Sequence, residues 1–428
     1  MNHRIRAIVI GLALTVWLST ACGMAAPIGA PASQRETYTY SAERTDAARP
    51  TPAPTATVAE GGIAPSTGGT DEPNDQPYGD MFFEDYGVNP RIDTEDDHLS
   101  TFAVDVDTGS YTLMRSYVNG GYLPPDESVR VEEYINYFDQ GYETPRDGAF
   151  ALHITGAPSP FAENYHLVRV GIQGYQMLPE ERPDVVLTFV VDVSGSMDRE
   201  NRLGLVKSAL ELLIDELRPT DQIGIIVYGS EAREVLRHTP VAEAVTIRRA
   251  IRSLTPEGAT NAEEGLVLAY RRASRAFDPT ALNRVILCSD GVANVGNTGP
   301  DSIMARIEEA AEDEIYLTTI GVGMGNYNDV LMEQLADRGD GFYAYVDDIR
   351  EAERVFVHQL PATLQVIARD AKVQVDFNSQ VVSRYRLIGY ENRDVADEDF
   401  RNDAIDAGEI GMGHCVTALY EVKLRSAT

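Results

Sequence analysis

The stretch from Asp184 to Met197, Asp-Val-Val-Leu-Thr-Phe-Val-Val-Asp-Val-Ser-Gly-Ser-Met, constrains the fold of this 428-residue chain more than any other. Val185, Val186, Leu187, Phe189, Val190 and Val191 make an almost unbroken apolar run. A strand with one face in water would alternate; this run implies the central strand of a sheet covered on both faces. It ends on oxygen-bearing side chains, Asp192, Ser194 and Ser196, at every second residue with Gly195 between the serines. Leu203, Leu205, Val206, Leu210, Leu213, Ile214 and Leu217 then recur at helical spacing. A strand, a short loop of hydroxyls and one carboxylate, then a helix is the geometry of a ligand site at the carboxyl edge of an open α/β sheet.

Oxygen donors of this kind suit a hard divalent cation. Magnesium takes about six oxygen ligands and keeps some of its water, so one loop supplies only part of a shell. A helix cap accounts for one such residue, not for three in alternation. Two later segments fit the same shell. Gly258-Ala259-Thr260-Asn261 precedes a helical pattern, which places the Thr260 hydroxyl in a loop. Val285-Ile286-Leu287-Cys288-Ser289-Asp290-Gly291 is a second buried strand, and Asp290 at its end would reach the same sheet edge as Asp192.

Asp192-Val193-Ser194-Gly195-Ser196, Thr260 and Asp290 together resemble the metal-ion-dependent adhesion site of a von Willebrand factor type A domain. The resemblance implies a metal held by these five residues, with Mg2+ as the ion and Mn2+ or Ca2+ as alternatives. It also implies a protein partner whose Asp or Glu carboxylate completes the shell, and a binding module in place of an enzyme. The rival readings are a metal-assisted hydrolase, for which no general base or nucleophile stands beside the loop, and an envelope-assembly factor with a dispensable metal site.

Charge narrows the partners. The formal net charge of -31 repels phosphate backbones and anionic headgroups, so nucleic acid is excluded. Lys207, Lys372 and Lys423 are the only lysines, no Gly-Lys-Ser/Thr occurs, and no nucleotide is expected. Three cysteines cannot make a disulfide framework.

Five segments follow along the chain. Residues 1–22 read as a signal: His3, Arg4 and Arg6, then the short apolar stretch Ile8–Leu18, then Ser-Thr-Ala-Cys. The stretch is too short to span a bilayer. Cys22 resembles the lipidated cysteine of bacterial lipoproteins, although Ser19 stands where leucine is preferred, and cleavage near Ala21 with secretion is the alternative. A lipid anchor would hold the chain on the extracytoplasmic side of a cell or outer membrane.

Residues 23–80, rich in Pro, Thr, Ala and Gly, bury too little to fold and read as a tether. As a coil its ends would lie on the order of 40 Å apart. Residues 81–180 have α+β texture. Residues 181–360 alternate strand and helix patterns, implying an α/β, doubly wound, mostly parallel sheet with the Rossmann-like fold of a von Willebrand A domain. Strands are expected at Gln222–Tyr228, Val285–Ser289 and Ile315–Val322, and helices at Leu203–Leu217, Val241–Leu254, Ala262–Ala276, Ser302–Ala311, Asn328–Ala336 and Ile349–Gln359. Residues 361–428 are β-rich.

The words Asp105-Val106-Asp107-Thr108-Gly109-Ser110-Tyr111, Val129–Phe138, Tyr385–Arg393 and Asp406–His414 resemble bacterial von Willebrand A lipoproteins of the YfbK type. Members of that family run further, so a truncated end, or a missing partner for the strand Ala418–Leu424, is expected.

Other features are set aside. Asp105-x-Asp107 after an apolar strand is how haloacid-dehalogenase-type phosphatases begin, but Gly109 stands where they have threonine or valine, so structural carboxylates are expected. Gly321-Val322-Gly323-Met324-Gly325 matches a dinucleotide fingerprint poorly and reads as a sheet-edge loop. His414 and Cys415, adjacent in a strand, point to opposite faces and make a poor joint metal site, so a loop or strand-end role is expected. Cys288 reads as a core residue, and a Cys288–Cys415 bond is not expected. The acidic run at Asp93–Asp97 lacks the glycine a calcium loop needs.

Overall fold

A computed structural model describes residues 81–425 apart from 82, 105–106, 177–181, 292–299, 325–326, 360–365, 369–370, 394 and 402–409. Cys22 and the tether lie outside the described residues, as do Asp105 and the first part of the word Asp406–His414.

The first described segment forms β1 (Ile92–Asp93), β2 (Leu99–Ala103), α1 (Gly109–Asn119), α2 (Val131–Asn136), β3 (Phe150–Pro158) and β4 (His166–Gly174). In α1, Leu113 and Tyr117, four residues apart, share one buried face, as helical geometry requires.

The next segment alternates strand and helix. Its strands are β5 (Val185–Asp192), β6 (Gln222–Tyr228), β7 (Ala232–Pro240), β8 (Leu282–Ser289), β9 (Ile315–Val322) and β10 (Tyr343–Val346). They form one sheet in the order β10-β9-β8-β5-β6-β7. Every neighbour pair is parallel except β6 with the edge strand β7. Its helices are α3 (Arg202–Glu216), α4 (Ala244–Arg252), α5 (Ala262–Ala276), α6 (Pro300–Glu312), α7 (Asp329–Arg338) and α8 (Ile349–Glu353), the last continuing as π-helical turns over Arg354–Gln359.

β5 is buried along its whole length, which is why its sequence does not alternate. Leu187, Phe189 and Val191 face the core beneath α3 and α4, whose Leu210, Leu213, Ile247 and Ile251 pack there. Val190 faces the opposite core with Leu266 and Ala269 of α5 and Leu331 and Leu335 of α7. One strand thus anchors two cores, as a doubly wound sheet demands.

The remaining strands are β11 (Val366–Ala368), β12 (Lys372–Asp376), β13 (Val382–Ile388), β14 (Ile410–Gly411) and β15 (Cys415–Leu424). They pair with the first segment. A five-stranded antiparallel sheet runs β1-β13-β15-β4-β3, and β12 pairs with β2. The strand expected to lack a partner has one on each side: β15 pairs with β13 and with β4. Cys288 and Cys415 are both free thiols.

A buried ionic cluster fastens the first and last segments to the central sheet. Arg130 is 5% exposed, donates to Glu133 beside it, and reaches Asp329 of α7 with Nη2 at 2.7 Å. Arg393 donates to Glu333 at 2.8 Å and to Asp337 at 2.9 Å, both on α7. Asp107 accepts from the Tyr343 backbone N–H at 2.7 Å and from Arg393 at 3.3 Å. The ring of Tyr343 leaves no room for a side chain at position 109, where a Cβ would lie 2.4 Å from its Cε1. The family words around Asp107 and Arg130 therefore hold regions together, and Asp107 is a structural carboxylate. Among the described residues, no helix is long and apolar enough to cross a membrane.

Candidate metal centre

The site lies where β5 and β8 end side by side. Parallel pairing with Val191 opposite Cys288 delivers Asp192 and Ser289 to the same edge, with Asp290 one step beyond. Asp192 is fully buried, and both of its carboxylate oxygens are engaged. Oδ1 accepts from the Ser194 backbone N–H at 2.7 Å, and Oδ2 accepts from the Ser289 hydroxyl at 3.0 Å. The first bond makes the tight turn that aims the two serines back at the sheet.

From there the oxygens form a chain. The Ser194 and Ser196 hydroxyls lie 2.9 Å apart, and Ser196 donates to Asp290 Oδ1 at 3.1 Å. Four of the five residues singled out in the sequence are thus joined by hydrogen bonds. The fifth, Thr260, is not part of that hydrogen-bonded chain. Its loop is clipped to the serine loop by Gly195 N–H to the Gly258 carbonyl, 3.2 Å, and by Glu257 N–H to the Val193 carbonyl, 2.5 Å. Asn261 next to it caps α5 by accepting from Glu264 N–H. Gly258 is obligatory here, with a φ of +71° and an added Cβ only 2.2 Å from the Ser230 hydroxyl.

Burial and the nearby Asp290 charge push the Asp192 carboxyl up to about 6, against the pull of its hydrogen bonds from Ser194 and Ser289. Tyr228, at the end of β6, is buried beside both Asp192 and Ser289; burial and the Asp192 charge hold its phenol well above the ordinary range.

Three residues here escaped the sequence reading. Ser289 lies within the strand pattern Val285–Ser289, although a hydroxyl preceding a strand-end aspartate is a visible signal. Tyr228 looks like any core aromatic. Arg202, the first residue of α3, is 5% exposed and pairs with Asp290 Oδ2 at 2.7 Å. No pattern within its own helix reveals that.

The donor set is entirely oxygen, two carboxylates and three hydroxyls, and so fits a hard cation better than a soft one. Among the described residues no three His, Cys, Asp or Glu side chains gather as a metal cluster.

Family models match three parts of the chain. The model described as "von Willebrand factor type A domain" matches residues 187–358, the one described as "von Willebrand factor" matches 77–169, and the one described as "Uncharacterized protein YfbK, C-terminal" matches 362–428. YfbK of Escherichia coli (strain K12) is 39% identical over 350 residues, covering 80% of this chain and 61% of that relative. The chain carries a von Willebrand factor type A domain followed by a YfbK-type C-terminal region. It spans 61% of that relative's length, less than two thirds.

Solved structures similar to this von Willebrand A protein include a von Willebrand factor type A protein from Catenulispora acidiphila, at 17% identity and TM-score 0.41, covering 68% of each chain. Another is proximal thread matrix protein 1 from the mussel byssus with a zinc-occupied metal-ion-dependent adhesion site, at 17% identity and TM-score 0.35, covering 45% of this chain and 49% of that one.

Proposed function

We propose that this von Willebrand A protein is an envelope-anchored binding module. Its divalent cation is held by Asp192, Ser194, Ser196, Thr260 and Asp290, and its protein partner completes the shell with an Asp or Glu carboxylate. The observation that carries the reading is the hydrogen-bonded run from Asp192, through the Ser194 N–H and the Ser194 and Ser196 hydroxyls, to Asp290, with the Thr260 loop clipped against it. When bound, the ion would supply an electrophilic position that a carboxylate oxygen fills. Hydroxyls donate without neutralising the ion, so its charge stays available to an anionic partner. Mg2+ fits the donor set, as do Mn2+ and Ca2+. The binding role fits a fold whose site lies on loops held by a rigid sheet.

Cys22 is proposed as the lipidated residue and the 23–80 segment as the tether that lets the folded part stand off the membrane. Detergent phase partitioning of wild-type protein and Cys22→Ser, expressed in a bacterium, tests the anchor: the wild type should enter the detergent phase and the variant should not.

The binding role is tested by a pull-down from bacterial envelope with Mg2+ present, with chelator, and with Asp192→Ala. Capture that needs both the ion and Asp192 is expected. Equal capture in all three arms would refute the mechanism.

A further inference from the structure

Arg202 is placed where a cation site would not ordinarily tolerate another cation. Its guanidinium is buried and its partners come from separate elements. Nη1 donates to Asp290 Oδ2 at 2.7 Å, and Nη2 donates to the Met324 carbonyl in the loop after β9. Glu200, whose side chain is 68% exposed, lies 3.4 Å from Nη2. The loop after β9 is shaped around this side chain. Gly323 has a φ of +79°, and an added Cβ there would sit 2.1 Å from Arg202 Nε. Gly323 of the glycine-rich word thus has a use in the structure: it makes room for an arginine.

Asp290 is therefore shared. One oxygen accepts from Ser196 on the side of the candidate shell, and the other is held by Arg202. We infer that Arg202 is a built-in cation that sets the charge of this site, weakening its hold on the metal and making the loaded site selective for an anionic group. The inference rests on the cation-site reading above. Asp192, Asp290 and Arg202 carry one net negative charge between them, so a divalent ion leaves the centre with one positive charge. Without Arg202 the loaded centre would be neutral and would have little to offer a carboxylate. Glu200 is largely exposed to water, where its ion pair with Arg202 is worth little.

Calorimetric titration of the folded protein with Mn2+ alone, followed by a hexaglutamate peptide as anion probe, tests this. Arg202→Gln should bind Mn2+ roughly tenfold tighter or more, as expected when one close positive charge is removed from a partly buried site. Its Mn2+-loaded form should bind hexaglutamate roughly tenfold more weakly than the loaded wild type. Arg202→Lys, which keeps the charge, should stay within about threefold of wild type in both titrations. Mn2+ affinity that is unchanged or lower in Arg202→Gln would overturn the inference and mark Arg202 as a positioning residue for Asp290. Undiminished hexaglutamate binding would overturn the selectivity. A wild type that takes up no Mn2+ would instead sink the cation-site reading itself. Should Arg202→Gln fail to fold by circular dichroism, Gly323→Ala pushes the guanidinium aside by the added Cβ. Tighter Mn2+ binding by that variant supports the inference, and unchanged or weaker binding overturns it.

Discussion

Arg130 of the first segment and Asp329 of α7 form an ion pair of 2.7 Å that is almost wholly withdrawn from water, with side-chain exposures of 4% and 1%. Glu133 and Glu333 crowd the same guanidinium. Asp329 and Glu133 depend on this guanidinium for their charge partner, whereas Glu333 also pairs with Arg393. Arg130→Met should therefore destabilise the protein by about 3–5 kcal/mol, because buried charges are left unpaired. Urea unfolding followed by circular dichroism measures the loss. The charge-neutral double variant Arg130→Met with Asp329→Asn should recover part of it.

Phe189 lies at the centre of β5 and is fully buried against α3 and α4. Phe189→Ala should cost about 3–5 kcal/mol through lost burial and the cavity left behind. The same denaturant experiment reads it. The Phe189 side chain has no oxygen to give the shell, so Mn2+ binding by the fraction that remains folded should be unchanged.

Gly258→Ala acts on the site through a different route. Its Cβ would strike Ser230, and its φ of +71° disfavours any side chain. The loop carrying Thr260 must then move off the serine loop. A loss of about 1–2 kcal/mol in stability is expected, together with weakened Mn2+ binding by calorimetry. Retained Mn2+ affinity would show that Thr260 is not a ligand.

His238 on β7 predicts a pH effect. Its ring lies over Gly224 and its Nε2 is 2.8 Å from the Thr188 hydroxyl. Burial depresses its pKa from 6.5 to about 4, with the Glu234 charge opposing. The unfolded chain thus takes up this proton first on acidification. The contribution to stability is complete above about pH 6.5 and is lost progressively as the pH falls towards 4. Thermal melts at pH 7.5 and pH 5 should show a smaller drop in His238→Gln than in the wild type.

The parts legible in the sequence are those dictated locally. β6, β9 and α5 begin and end at the residues their patterns indicate, because a buried parallel strand and an amphipathic helix each leave a strong periodic trace. β7 left none: Arg233, Glu234, Arg237 and His238 interrupt it, since an edge strand is half in water. β10 is four residues long and too short to show a period. The convergence of Asp192, Ser194, Ser196 and Asp290 was readable because each sits at the end of a recognisable strand or in the loop after it. The burial of Arg202 was not, because its partners come from loops 88 and 122 residues away. Nor could texture reveal that the first and last segments interleave as one sheet, since strand pairing across more than 200 residues has no local signature.

That interleaving has a consequence for how the molecule is made. β4 emerges from the ribosome long before β15, its neighbour, and everything from β5 to α8 is synthesised in between. The central α/β layer can assemble while the chain is still growing. The outer sheet must wait, with one long flank of β4 open, until translation reaches Cys415–Leu424. A nascent chain halted after α8 should therefore present a finished cation loop on an unfinished support, sticky along that flank and in need of a chaperone until its closing strand arrives.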